Sequence, residues 1–309
     1  MTISARTSSA IAVRANPSPG SWSTDTLSFF GFGQPQQQQT NVETTAGGVP
    51  QDAISRLRRM RGEGGPPLFT SDLSVSEFVL LDDLQMQPLG LVLGSSIYHV
   101  GFQIGNYFVN QELGYLSQAM YQARELAMSR MEEEAAVLGA DGIVGVRLEV
   151  GGYIWAPNAL EFTAIGTAVK APPGTSYRTV NNKPFTCDLS VQDFYKLHQA
   201  GWVPAELVLG SCVYHIAHQN FMQSIRTLGN NIELNNYTEA LYDARELAMG
   251  RMQAEAEAHG AAGIVGMNIV EKNHVWEPHV IEFLAIGTSI VKRGEKTKVT
   301  PQFQIGLND

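Results

Sequence analysis

A chain of 309 residues with 44% apolar side chains has room for two ordinary cores. Its net charge of −9 is unevenly placed: residues 1–68 hold six Arg against four acids, which leaves 15 Lys/Arg against 26 Asp/Glu in the rest. An acidic body of this kind argues against broad electrostatic binding of nucleic acid or an anionic membrane. Two cysteines, Cys187 and Cys212, make no disulfide framework and point to a reducing, cytoplasmic setting, and no run of 18 or more apolar residues is present to span a membrane.

Residues 1–68 are rich in Pro, Ser, Gly and Gln, a composition that buries too little apolar area to offset its ordering entropy, so they read as a disordered tail. Two pieces of it could dock a partner protein. One is residues 27–33, where Phe29, Phe30 and Phe32 lie between Leu27 and Gly33. The other is residues 52–61, a short basic helix capped by Asp52 and ending at Arg61. Such a helix is marginal alone in water, where roughly 12 to 15 residues are needed, so it would require a surface, a partner's or the protein's own acidic one.

From residue 69 onward the chain repeats itself. Residues 123–145 return as residues 244–266 with 16 of 23 positions identical. Ser74 and Ser190 have the spacing of helix N-caps, with Glu77 and Asp193 three residues on. Gly201 would end the second of these short helices in the left-handed conformation. The first copy has Gln85 there, which predicts a different exit. Apolar strands over 89–100 and 205–216 follow, each with a shared glycine, Gly94 or Gly210, marking a bulge or a close backbone approach. The offset between copies then grows from 116 to 121 residues, which places a five-residue insertion between His218 and Tyr237.

The main helices are expected over 115–138 and 237–259. Ala123, Ala127, Met131, Ala135 and Leu138 form a core-facing stripe with small residues, as close helix-to-sheet packing requires. Arg130 with Glu134, and Arg251 with Glu255, have the spacing of surface ion pairs. Glycines stop each helix, and two strands complete each copy: 142–150 with 159–170, and 263–270 with 280–292. The fold class is therefore α+β, with two tandem small βαββ domains, each preceded by a short helix. Domain 1 covers residues 69–171 and domain 2 residues 185–294, with a linker over 172–184 and a tail over 295–309.

The candidate sites are few. The glycines of residues 139–145 follow a helix and enter a strand, the reverse of a phosphate loop, so they read as a tight turn. Tyr98-His99 and Tyr214-His215 match between copies. In the second copy Cys212, His215 and His218 could hold zinc, nickel or copper if the chain turns there, joined by His274 or His279; in a continuous strand residues three apart would face opposite ways. Glu161 and Glu282 are shared carboxylates in apolar strands, and could pair across a subunit interface with Arg124 or Arg245. Trp155 and Trp276 sit in hairpin loops and could mark an interface or a ligand site. No Ser/His/Asp or Cys/His arrangement is repeated, so no enzyme is expected.

The segments Ala-Arg-Glu-Leu-Ala-Met-x-Arg-Met, residues 138–147 and residues 166–169 resemble the YbjQ-type family, labelled as heavy-metal-binding domains. Residues 259–267 and 287–290 match more loosely, with His259, Ala262 and Ser289 departing from the pattern. The resemblance covers about 90 residues of each copy. It implies a dodecin-like βαββ domain and, for single-domain relatives, closed rings, usually pentamers. Two copies per chain would give every closed ring an even number of domains. The function expected is that of a non-enzymatic, oligomer-forming structural or interaction protein whose tail recruits a partner. The alternatives are a heavy-metal binder or sensor, and a carrier of small ligands between subunits.

Overall fold

A computed structural model describes residues 48–99, 108–153, 156–217, 234–273 and 279–294. In chain order the elements are α1 (Gln51–Met60), α2 (Val75–Asp83), β1 (Gln87–His99), β2 (Gln111–Glu112), α3 (Gly114–Leu138), β3 (Gly142–Tyr153) and β4 (Ala156–Lys170). The second copy supplies β5 (Phe185–Thr186), α4 (Val191–Gln199), β6 (Trp202–His215), α5 (Asn235–Ala258), β7 (Gly263–Asn273) and β8 (Val280–Lys292). The α+β class and the doubled βαββ unit are as the sequence predicts.

Each repeat lays one long helix on a three-stranded antiparallel sheet, and each sheet takes a fourth, short strand from the other repeat. The orders are β1-β4-β3-β5 and β2-β6-β8-β7. β5 adds in parallel to β3 through Phe185 and Thr186, while β2 adds antiparallel to β6 through Gln111 and Glu112. The two copies are thus stitched together by main-chain hydrogen bonds in both directions.

The predicted stripe of α3 is buried against its own sheet. Gly94 and Gly210 make a close approach rather than a bulge: a Cβ on either would sit 2.0 Å from the Ala127 carbonyl oxygen or 1.9 Å from that of Ala248. The irregularity in β1 falls instead between Pro88 and Gly90. Ser74 forms the full capping box with Glu77, and Ser190 accepts from the Asp193 N–H.

Three sequence expectations need correction. Within the stretch that composition assigns to a tail, residues 51–60 form α1, with Pro50 rather than Asp52 at the N-cap. The reason is an apolar face, Ile54, Leu57 and Met60, which is buried, together with Arg56, which reaches Glu134 at 2.6 Å and the Leu91 carbonyl at 2.9 Å. Gln85 does not change the helix exit; it adopts φ +55 where Gly201 has +81. The pairs Arg130–Glu134 and Arg251–Glu255 do not form. All four side chains serve the adjacent edge strand and its surroundings: Arg130 donates to the Ser95 carbonyl, Glu134 accepts the Leu93 N–H, Arg251 donates to the Ser211 carbonyl and Glu255 accepts the Leu209 N–H. Unpaired strand groups at a sheet edge compete better for those side chains than a solvated ion pair does. The linker is pinned as well, through Arg178 to Asp141 and Lys183 to Glu132.

Candidate functional site at the contact between the repeats

α3 lies between two sheets. Its Ala/Met stripe faces its own sheet, and the opposite face, with Met120, Arg124 and Met128, meets the outer faces of β6 and β8. At the centre is Arg124, fully buried. Its guanidinium lies 5.2 Å from the centroid of the Phe162 ring, donates to Ser211 Oγ at 3.0 Å and forms an ion pair with the Glu282 carboxylate. Ser211 Oγ also donates to Glu282 Oε1 at 3.3 Å. Phe162 belongs to the first repeat, Ser211 and Glu282 to the second. The pair predicted for a subunit interface therefore forms inside the chain.

The rim is polar and specific. The Leu113 N–H donates to the Val213 carbonyl at 2.8 Å, and Ser117 Oγ accepts the Val213 N–H at 2.8 Å. Arg251 grips both oxygens of Glu112 at 2.6 and 2.9 Å, the bidentate geometry that makes Arg–carboxylate pairs strong. On the far side, Phe185 and Cys187 donate to the carbonyls of Asp141 and Ile143, and the Val146 N–H donates back to Cys187. The Phe185 ring lies flat over Gly142, where a Cβ would come within 2.0 Å of a ring carbon.

One edge of the contact is a cleft lined by Glu125, Glu132, Glu206 and Glu255 with Lys183 among them. Burial, reinforced by Glu125 and Glu206, pushes the Glu255 carboxyl up to about 8, against the pull of the Leu209 N–H bond. Burial likewise raises Glu125 and Glu132, the latter held in check by Lys183 at 3.1 Å. Each of these three carboxyls holds its proton more tightly than a solvated one does.

The residues singled out from sequence separate. Cys212 points into the core under α5, and burial pushes its thiol up to about 12. His215, three residues on, is buried at the contact between the repeats, with its Nδ1 3.5 Å from the Val109 carbonyl oxygen. His279 has φ +67 and its carbonyl accepts the Ile216 N–H. His99 lies exposed at the end of β1, and Glu161 is half-buried on β4. His218, His274, Trp155 and Trp276 fall outside the described residues, as does the segment 27–33. Among the described residues, no group of three or more His, Cys, Asp or Glu side chains is placed to hold a metal ion. Sequence reasoning missed Ser117, Glu112, Phe185 and Ser211. Ser211, Phe185 and Glu112 carried a signal, since Ser95, Phe69 and Glu233 repeat them.

Comparison with known proteins places this architecture. The sequence model of the YbjQ family, described as "Putative heavy-metal-binding", matches residues 87–172 and 197–293. A protein of Mycobacterium tuberculosis named encapsulin nanocompartment protein Rv1762c is 46% identical over 242 residues, covering 78% of this chain and 92% of its own. Single-repeat relatives also match. A UPF0145 protein of Pseudothermotoga lettingae is 37% identical over 90 residues, 28% of this chain and 83% of its own. A UPF0145 protein of Methanococcus maripaludis is 38% identical over 89 residues, 27% and 78% respectively. The chain belongs to the YbjQ family and carries the family's domain twice in tandem.

Proposed function

We propose that the chain is a non-enzymatic, self-associating structural and interaction protein of a nanocompartment system, with the paired repeats as scaffold and the N-terminal region recruiting a partner protein. The observation that carries this reading is the use made of the shared polar residues. Arg124, Ser211 and Glu282 are committed to holding one repeat against the other. The 46% identical relative, named for an encapsulin nanocompartment, supports the setting. Two segments offer themselves to a partner: residues 27–33, and the solvent side of α1, where Arg58 and Arg59 are exposed while Arg56 is held by Glu134. A reducing cytoplasm fits the two free, buried cysteines, and no helix among the described residues is long and apolar enough to cross a membrane. Co-expression with an encapsulin shell protein followed by density-gradient sedimentation tests the setting. Co-migration that is lost on deletion of residues 1–47 is expected; sedimentation of the full chain apart from the shell would overturn it.

A second reading has the family's description behind it: binding of zinc, nickel or copper through Cys212 and His215 with His218, His274 or His279. Equilibrium dialysis decides it, with uptake by the wild type and none by a Cys212/His215/His218 triple alanine variant as its signature. A native mass spectrum reports in the same measurement any small ligand carried between subunits.

A further inference from the structure

We propose that a second copy of this chain docks head to tail, by repeating between chains the contact that joins the two repeats within one. This rests on the self-association proposed above and specifies its surface, its register and its central ion pair.

The inner contact has two halves. The first repeat offers α3 and the edge of β3; the second offers the outer faces of β6 and β8 together with the segment at β5. Because the chain is a repeat, each half exists a second time, at the opposite ends of the molecule. In the first repeat the outer face of β1 and the segment around Phe69 correspond to the half that is covered in the second. In the second repeat α5 and the edge of β7 correspond to the half that is covered in the first.

Burial at equivalent positions separates the used halves from the unused ones. Val213 on β6 is 0% exposed, and its counterpart Ile97 on β1 is 63% exposed. Phe185 is 0% exposed, and its counterpart Phe69 is 40%. Val146 at the edge of β3 is 2% exposed, and Met267 at the edge of β7 is 47%. The clearest sign is a pair of glycines. Gly142 lies under the Phe185 ring, whereas Gly263, its equivalent, has nothing within 4 Å of where a Cβ would be. Val75 and Phe78 on α2 are exposed while Val191 and Phe194 on α4 are buried. Large apolar side chains gathered on one patch mark an interaction surface. Here the molecule itself shows what covers such a patch.

The register follows from the same equivalence. Arg124, Ser211 and Glu282 become Arg245 of one copy with Ser95 and Glu161 of the next. Among the described residues Arg245 makes local contacts, 3.2 Å to Glu246 and a stack 4.4 Å from the Tyr242 ring centroid, with its side chain 37% exposed. Phe69 settles over Gly263, and Phe69 and Ser71 donate to the carbonyls of Ala262 and Ile264, extending the β7 edge. The Leu91 N–H donates to the Thr70 carbonyl at 2.5 Å, which ties the Phe69 segment to β1. Charge is also better matched than inside the chain. The inner contact sets Glu125 against Glu255, whereas the equivalent Glu246 meets Glu134, already neutralised by Arg56. The contact is heterologous, so copies add in one direction and each added copy leaves one half of the contact open at either end.

Size-exclusion chromatography with light scattering tests this on the full chain at about 50 µM. The wild type is expected at a multiple of 33.7 kDa. Arg245→Glu and, separately, Ile97→Glu are expected to reduce it to a single chain, and Arg245→Glu combined with Glu161→Arg to restore the larger species. Circular dichroism of each variant checks folding, and Ile97, being exposed, keeps the test open should Arg245→Glu fold poorly. A wild-type monomer would overturn both this contact and the self-association beneath it. A larger species unmoved by Arg245→Glu and Ile97→Glu would overturn the contact alone.

Discussion

β1 and β6 are the same strand in sequence and different strands in place. Leu-Val-Leu-Gly-Ser occurs in both, yet β6 is buried on both faces along most of its length while β1 alternates between buried and exposed. The difference is one helix. α3 covers the outer face of β6, and nothing among the described residues covers that of β1. Burial here is a property of position in the chain of repeats, not of the strand's own residues, and a repeat protein's end units differ from its inner ones for this reason.

The largest effect that would break the comparison is at its centre. Glu282→Gln leaves Arg124 buried without its counter-charge, and the loss of one partner of such a pair is expected to cost about 3–5 kcal/mol in urea unfolding. The equivalent Glu161→Gln, at a half-buried position and at protein concentrations low enough to keep chains separate, is expected to cost less than Glu282→Gln does. Equal effects at the two sites would mean that the repeats are held by something other than this pair.

A second contrast uses glycines. Gly142→Ala drives a methyl into the Phe185 ring and is expected to cost about 1–3 kcal/mol, the range for overpacking a close-fitted site. Gly263→Ala meets open space in the single chain, so its unfolding midpoint should move little, while its light-scattering mass should fall. Thermal melts beside mass measurements separate the two consequences.

The acidic cleft gives a weaker, pH-dependent contrast. Glu255 is pushed up to about 8, so between the ordinary carboxylate value of 4.5 and about 8 the folded chain keeps a proton that the unfolded chain has lost. Stability from this group is then fully present at low pH and declines as pH rises through that window. Glu125 and Glu132, both raised, act in the same direction. The melting temperature is expected to fall between pH 5.5 and 8, and Glu255→Gln to flatten the fall. An unchanged slope in that variant would assign the dependence elsewhere.

Much of this molecule could be read from its sequence, and what could not has a common cause. The Ala/Met stripe, the capping serines and the close-packed Gly94 and Gly210 are local signals, set by helix period and by the space between one helix and its own sheet. The role of Arg124 was legible as a pairing with Glu282 but not as a pairing within the chain, because ridges of α3 that face solvent in a lone domain face another sheet here. Arg130 and Glu134 were misread because surface spacing on a helix says nothing of a strand edge beside it. α1 was legible as a short helix in need of a surface, but not its docking on α3 and β1, because ten residues hold a helix only when a neighbour buries Leu57 and Met60, and composition does not say which neighbour.

Gln85 supplies the smallest test and the most local one. It closes α2 in the left-handed conformation, its N–H donating to the Asp82 carbonyl at 2.8 Å while Met86 donates to Leu81 at 2.9 Å. The equivalent Gly201 does the same for α4 without a side chain to strain. Left-handed backbone costs a residue with a Cβ roughly 1–2 kcal/mol, and glycine gives back part of that through its freer unfolded chain. Gln85→Gly is therefore expected to stabilise by about 0.5–1 kcal/mol, and Gly201→Gln to destabilise by a similar or larger amount. If Gln85→Gly is instead destabilising, the glutamine side chain is making a contact worth more than the strain, and the two helix exits would be alike in backbone yet different in what holds them.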